Sequence, residues 1–317
     1  MSMAMLVAQR LALGIATLLV VSLLIFLGTE ILPGDVATAI LGQGATPELV
    51  AALRARLNLD DPGYIRYLHW LASMLAGDAG RSLVNQVDIA TTAMLRAQNS
   101  LILTTSTALV AVPTALFLGL LSAAKAGGKT DRIISAATVS LISIPDFLVA
   151  VLLVMLFAVK LGWLPSIARI RPSYDFFDWV RVLLLPVATL TCAIVPHMVR
   201  MTRTAVLEVL CTPAIEMAIL KGLPRWRVLI VHALPNALGP IVNVIALNLA
   251  YLISGVVVVE TLFNFPGLGR YMVDSVTIRD VPAIQMCAMI FCATYVLLNL
   301  AADVAAILAN PKLRYPR

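Results

Sequence analysis

Six stretches of this chain carry almost no charge, and their lengths suit helices that cross a membrane. Nineteen uncharged residues separate Arg10 from Glu30, 28 separate Arg96 from Lys125, and residues 133–159 hold one charge, Asp146. A further 18 lie between Arg181 and Arg200, 32 between Arg227 and Glu260, and 22 between Asp280 and Asp303. About 20 apolar residues are needed to cross a hydrocarbon core of ~30 Å. Backbone in lipid must satisfy its own hydrogen bonds, so each run is predicted to be helical. The expected fold is an all-α integral membrane protein with six transmembrane helices, forming one domain over residues 1–317.

The connections carry patterns of their own. Residues 31–97, between spans one and two, form the longest. Thr46 suits an N-cap with Pro47 at the first helical position, and Leu49, Leu53 and Leu57 follow at helical spacing. Tyr64, Tyr67, Leu68 and Leu71 suggest a second amphipathic helix, punctuated by Pro62, Gly77 and Gly80. A loop with periodic helices reads as a folded lid. Between spans four and five, residues 206–236 hold a short helix from Ala214 to Lys221, capped by Gly222, where a positive φ costs nothing. Pro224 suits the first turn of a second helix. On that helix Trp226, Leu229, Ile230 and Ala233 share a face, Arg225 and Arg227 are polar handles, and Leu234-Pro235 ends the exposed part.

Several spans contain proline: Pro113, Pro145, Pro186 and Pro196. Each removes a backbone hydrogen bond and is expected to kink its helix. Asp146, next to Pro145, is the one ionised residue placed inside a span. A charge there costs roughly 2.5–3.5 kcal/mol, so it is expected to face a pathway or a partner.

Composition agrees with a membrane reading: 61% of the 317 residues are hydrophobic and 13% charged, against about 25% charged in soluble domains. With a cytoplasmic N-terminus, the inward segments hold 12 basic residues in 61 positions and the outward segments 11 in 110. That bias has the sign expected of cytoplasmic loops and places both termini inside. The net charge of +6 follows from this orientation, and no nucleic-acid partner is read from it. The first apolar run exceeds a signal-peptide core and lacks a small-x-small cleavage site, so it is expected to stay as a span.

Chemistry-bearing constellations are scarce. Cys192, Cys287 and Cys292 sit in apolar runs and Cys211 in the loop after span four, without metal or disulfide spacing. His69, His197 and His232 share no ligand spacing, and Gly128-Lys129-Thr130 lacks the glycine that a phosphate-binding loop needs five positions before Gly128, where Ala123 stands. No catalytic residue, metal or cofactor is expected, and any ATP must be hydrolysed by another subunit.

The spacing of Glu216, Ala218, Gly222 and Leu234-Pro235 resembles the conserved-pattern loop of bacterial ABC-importer permeases, with Met217 in place of an Ala and His232 in place of an Ile. Gly77-Asp78 with Gly80-Arg81-Ser82 is similar to an outer-loop signature of the dipeptide/oligopeptide/nickel permease family. Glu260-Thr261, Phe263, Pro266-Gly267-Leu268-Gly269-Arg270, Asp280 and Pro282 resemble its block after span five, and Asn310-Pro311-Lys312-Leu313-Arg314-Tyr315 its usual ending. Asp88 departs from it, standing where Pro is common. The resemblance implies a peptide permease in the bacterial inner membrane, a heterodimer with a homologous permease. Two ATP-binding subunits and an extracytoplasmic solute-binding protein complete the assembly. It implies that Glu216, Ala218, Gly222, Arg225, Trp226, Leu234 and Pro235 couple to the ATPases. Phe265, Pro266, Gly267, Gly269 and Arg270 are expected to meet the binding protein, and Pro145 and Asp146 to line the pathway. Nickel chelates, glutathione or opines are alternative cargoes. An ion-coupled secondary transporter, the rival from another class, normally shows internal repeats and several intramembrane charges.

Overall fold

The computed structural model describes residues 3–30, 46–56, 60–171 and 173–309. Their helices are α1 (Met3–Glu30), α2 (Pro47–Arg56), α3 (Gly63–Leu75), α4 (Ile89–Ala124), α5 (Lys129–Ile142), α6 (Asp146–Leu153), α7 (Phe176–Leu210), α8 (Pro213–Leu220), α9 (Leu234–Leu262), α10 (Leu268–Thr277) and α11 (Val281–Ala309). Among the described residues no β-strand forms. One antiparallel bridge joins Arg81 to Asp88.

Five helical stretches are long and apolar enough to cross a membrane: Ala8–Thr29, Ile89–Ala124, Phe176–Leu210, Val228–Leu262 and Val281–Ala302. A sixth exists only as a bent pair, Lys129–Ile142 with Asp146–Lys160, which meet at 100°. The uniform apolar run 133–159 is therefore not one helix. Proline lacks an N–H and pushes its predecessor out of the α region. Pro145 itself stands in an extended conformation, φ −58°, ψ 140°, immediately before α6. Asp146 thereby becomes the first residue of a helix, half-buried, where unpaired N–H groups favour a negative charge. Pro113, Pro186 and Pro196 do lie inside helices, as does Pro240.

The chain folds as two compact units. The first comprises Met1–Leu11, Leu101–Phe265 and Leu297–Arg317. Its core is built on α7, whose buried Leu190, Ile194, Met198 and Val199 cluster with Leu252, Val256 and Val259 of α9. In lipid, tails are as apolar as leucine, so close backbone approach replaces the hydrophobic drive. Helix α4 supplies that approach with Ala111, Ala115 and Gly119, all buried at four-residue intervals. A Cβ on Gly119 would stand 2.8 Å from the Thr202 Cβ of α7.

The second unit comprises Ala12–Ser100 and Pro266–Val296. Tyr67 and Trp70 of α3 pack on Phe26 of α1 with ring centroids 5.5 and 5.9 Å away, and the Tyr67 and Ser22 hydroxyls lie 2.9 Å apart. The half-buried face of α3 is thus centred on Tyr67 and Trp70. Tyr64 and Leu68, expected on the same apolar side, are exposed. Leu57 and the side chain of Leu53 lie outside the described residues, as does the Asn310 to Tyr315 ending.

Candidate functional site

The segment between α7 and α9 is organised around one turn. Helix α8 opens after Thr212 with Pro213 at its first position and ends at Lys221. The Leu223 N–H donates to the Ala218 carbonyl at 3.4 Å and the Gly222 N–H to the Ile219 carbonyl at 2.9 Å. Those two bonds form a Schellman motif, which needs a left-handed residue. Gly222 supplies it with φ 76°. The cap expected from the sequence is therefore present at Gly222.

Burial divides the segment into two faces. Ile215 and Ala218 of α8 are buried with Val228 and Ala233, and Leu210, Leu223 and Leu229 pack around them. On the other face Glu216 is exposed, among exposed Met217, Ile219, Leu220 and Trp226. Trp226 and Ile230 do not share the buried face of Leu229 and Ala233, contrary to the α-helical spacing. The reason is a π-helical stretch, Val228–Ala233, after the short turn Arg225–Arg227. Its wider turn stacks residues five apart, so Val228 pairs with Ala233. Leu234 and Pro235 follow without a break, the π-helical stretch running on into α9. The side chain of Arg225 lies outside the described residues.

The block after α9 divides likewise. Phe265 is completely buried in the core of the first unit, with Phe263 beside it, so its side chain is a packing anchor there. Pro266, Gly267, Gly269 and Arg270 belong to the second unit. Within it the Asn99 amide donates to the Pro266 carbonyl at 2.8 Å, and the Leu268 N–H donates to the Ser100 hydroxyl at 2.8 Å. Arg270 is half-exposed and pairs with Asp274 at 3.4 Å. Gly267 and Gly269 are buried.

Two distant sequence blocks meet in this unit. Asp280, 2% exposed, accepts from the Ser82 hydroxyl and, at 3.2 Å, from the Leu83 N–H. Gly77 and Gly80 take φ 80° and 72° on the way into that turn. Asp88 caps α4 by accepting from the Thr91 N–H at 2.7 Å. Hydrogen bonding from Thr91 holds the Asp88 carboxyl below the usual carboxylate range. The aspartate thus starts the helix by capping it, a role compatible with its place in a position where Pro is common. Burial pushes the Tyr271 hydroxyl up to about 12, with Cys287 and Asp280 adding to the effect.

One cluster escaped the sequence reading. Asp131, 4% exposed, accepts from Arg203 Nε at 2.8 Å, Arg203 Nη2 at 2.9 Å, the Ser122 hydroxyl and the Gly127 N–H at 2.8 Å. The signal was a lone acid among Lys125, Lys129 and Arg132.

Five long apolar helices and one bent pair, with a capped short helix before the penultimate span, are the elements of an ABC-transporter permease fold. The solved MetNI methionine ABC transporter, in inward-facing conformations, shares that fold with a TM-score of 0.56 at 21% identity. The likeness covers 69% of this chain and 96% of that one. Residues 115–315 match the family of binding-protein-dependent transport system inner membrane components, and residues 3–97 match the N-terminal part of such components. The chain belongs to this family, as a multi-pass inner-membrane transport component. A probable peptide ABC transporter permease, y4tP of Sinorhizobium fredii, is 35% identical over 98% of this chain and 99% of its own. The glutathione transport permease GsiC of Salmonella choleraesuis, and that of Escherichia coli K12, are each 36% identical over 98% of both chains.

Proposed function

We propose that this chain is one of two permease subunits of an ABC importer that carries short peptides, glutathione-like tripeptides among them, across the inner membrane. Two ATP-binding subunits drive it and an extracytoplasmic binding protein loads it. The observation that carries the reading is α8. A capped helix presents Glu216 inside an exposed apolar patch of Met217, Ile219, Leu220 and Trp226, and its other face is bolted to the bundle through Ile215 and Ala218. Exposed apolar surface rimmed by charge marks a protein docking site. A motor that pushes on such a helix moves α7 and α9 with it.

The peptide cargo is supported by the relatives' names, and cytoplasmic termini by the excess of Lys and Arg in the inward loops. The subunit itself does no chemistry in this reading. ATP and the loaded binding protein must both prefer the outward-open state, since a ligand shifts an equilibrium only through differential affinity. Pro266 and Arg270 are the surface residues offered to the binding protein. Asp146, at the break between α5 and α6, is assigned to the pathway.

The test is co-expression with the partner genes, purification of the complex, and uptake by liposomes. Glu216→Arg is expected to abolish ATP-driven peptide uptake. Unaltered assembly and uptake in that variant would overturn the coupling role. Ion-driven uptake by the isolated chain would favour the secondary-transporter alternative.

A further inference from the structure

The helix that fixes Arg203 on Asp131 presents a second arginine one turn earlier, Arg200, turned about 60° around the axis. Arg200 lines an open cavity of about 450 Å³ in the first unit with His197, Met201, Thr204 and Glu208 of α7 and Val244 of α9. Among the described residues neither Arg200 nor Glu208 forms an ion pair. Arg203 is spent on structure, and Arg200 is left for something else.

Other polar groups in and beside the cavity are partly committed. The Thr204 hydroxyl donates to the Arg200 carbonyl at 3.0 Å, and the Asn248 amide to the Val244 carbonyl at 2.8 Å. Three exposed groups remain on α7: the His197 ring, the Arg200 guanidinium and the Glu208 carboxylate. The exposed Tyr251 ring of α9 stands 6.5 Å from His197. Arg200 directly follows the charge-free run of α7. At the end of such a run a long basic side chain reaches the aqueous interface, where a solute in water can meet it.

The two charges are spaced along one helix. Eight residues separate Arg200 from Glu208, a rise of about 12 Å. An extended tripeptide spans roughly 10–11 Å. A guanidinium matches a carboxylate in planar, two-pronged geometry. An open site is also what a pathway requires, since a ligand held there must be able to leave.

We propose that this cavity is a transient site for a short zwitterionic peptide. Arg200 receives its terminal carboxylate beside the His197 ring, and Glu208 faces its terminal ammonium. The assignment rests on the peptide reading above and adds the residues that sense the peptide ends.

The test uses the complete transporter, with ATPases and binding protein, in liposomes. It is offered a defined mixture of tripeptides, each as free acid, C-terminal amide and N-acetyl form, and the imported pool is read by mass spectrometry. Comparing each variant with wild type cancels the selectivity of the binding protein. Arg200→Gln is expected to lower the acid-to-amide import ratio about tenfold, the loss of one charged hydrogen-bond partner, and Arg200→Lys to lower it less. Glu208→Gln is expected to lower the free-amine to N-acetyl ratio, and it carries the test should Arg200→Gln fail to assemble. Unchanged ratios with import continuing overturn the cavity assignment and leave the peptide reading standing. A wild-type complex that imports none of the peptides overturns both.

Discussion

Arg203 grips Asp131 with both prongs of its guanidinium, Nε on Oδ1 at 2.8 Å and Nη2 on Oδ2 at 2.9 Å. The carboxylate is almost fully enclosed, and the Ser122 hydroxyl and Gly127 N–H complete its shell. The pair ties the start of α5 and the end of α4 to α7. Removing one partner of a buried pair strands the other charge, whereas replacing both is often nearly neutral. Asp131→Ala is expected to cost about 3 kcal/mol, seen as a lowered thermal midpoint in detergent. The double variant Asp131→Leu with Arg203→Met should recover most of that loss, and a double-mutant cycle measures the difference.

Gly222 isolates backbone strain from steric clash. An added Cβ would meet no atom within 4 Å, yet φ is 76°. A left-handed conformation costs L-residues about 1–2 kcal/mol, with asparagine penalised least. Uptake is therefore expected to fall in the order glycine, Gly222→Asn, Gly222→Val. Equal activity of Gly222→Val and wild type would show that the turn geometry is immaterial.

The α4 seam gives the opposite case. At Gly119 the backbone is ordinary and the space is missing, with the Thr202 Cβ at 2.8 Å and the Val199 carbonyl oxygen at 3.2 Å from a built Cβ. Gly119→Leu is expected to destabilise by roughly 1–3 kcal/mol through overpacking, and Gly119→Ala by less. Thermal unfolding of the two variants in the same detergent ranks them.

Asp280→Ala removes the acceptor of Ser82 and Leu83 and leaves both donors in a part-buried place, at about 1–3 kcal/mol. The turn around residues 77–88 should then open locally before the bundle unfolds. Limited proteolysis should cut there in the variant and spare wild type. Identical cleavage patterns would show that other contacts hold the turn.

The sequence carried the spans, because charge-free length is a one-dimensional property that lipid enforces. It also carried the Gly222 cap, and it marked Gly80-Arg81-Ser82 and the segment around Asp280 as two family blocks without indicating that they meet. What it hid were changes of helical register. Pro145 announces a kink before Asp146, but the run is apolar on both sides and does not show that the helix breaks there and turns by 100°. The π-helical stretch Val228–Ala233 rotates Trp226 and Ile230 away from Leu229, and no residue type announces a five-residue repeat. The family resemblance offers Phe265 as a contact for the binding protein, but its aromatic bulk beside Phe263 lies in the core. Asp131 and Arg203 lie 72 positions apart, in two segments where each reads as an ordinary loop or helix-end charge.

The Ser82–Asp280 link also orders events in time. Its partners are 198 positions apart, so a ribosome adding about 5–20 residues per second needs roughly 10–40 s to deliver the carboxylate after the serine. During that interval the turn at Ser82 has emerged without its anchor. A nascent chain stopped short of residue 280 should therefore be the form most readily captured by quality-control proteases, and arrival of Asp280, just ahead of the last span, is what closes the turn at Ser82.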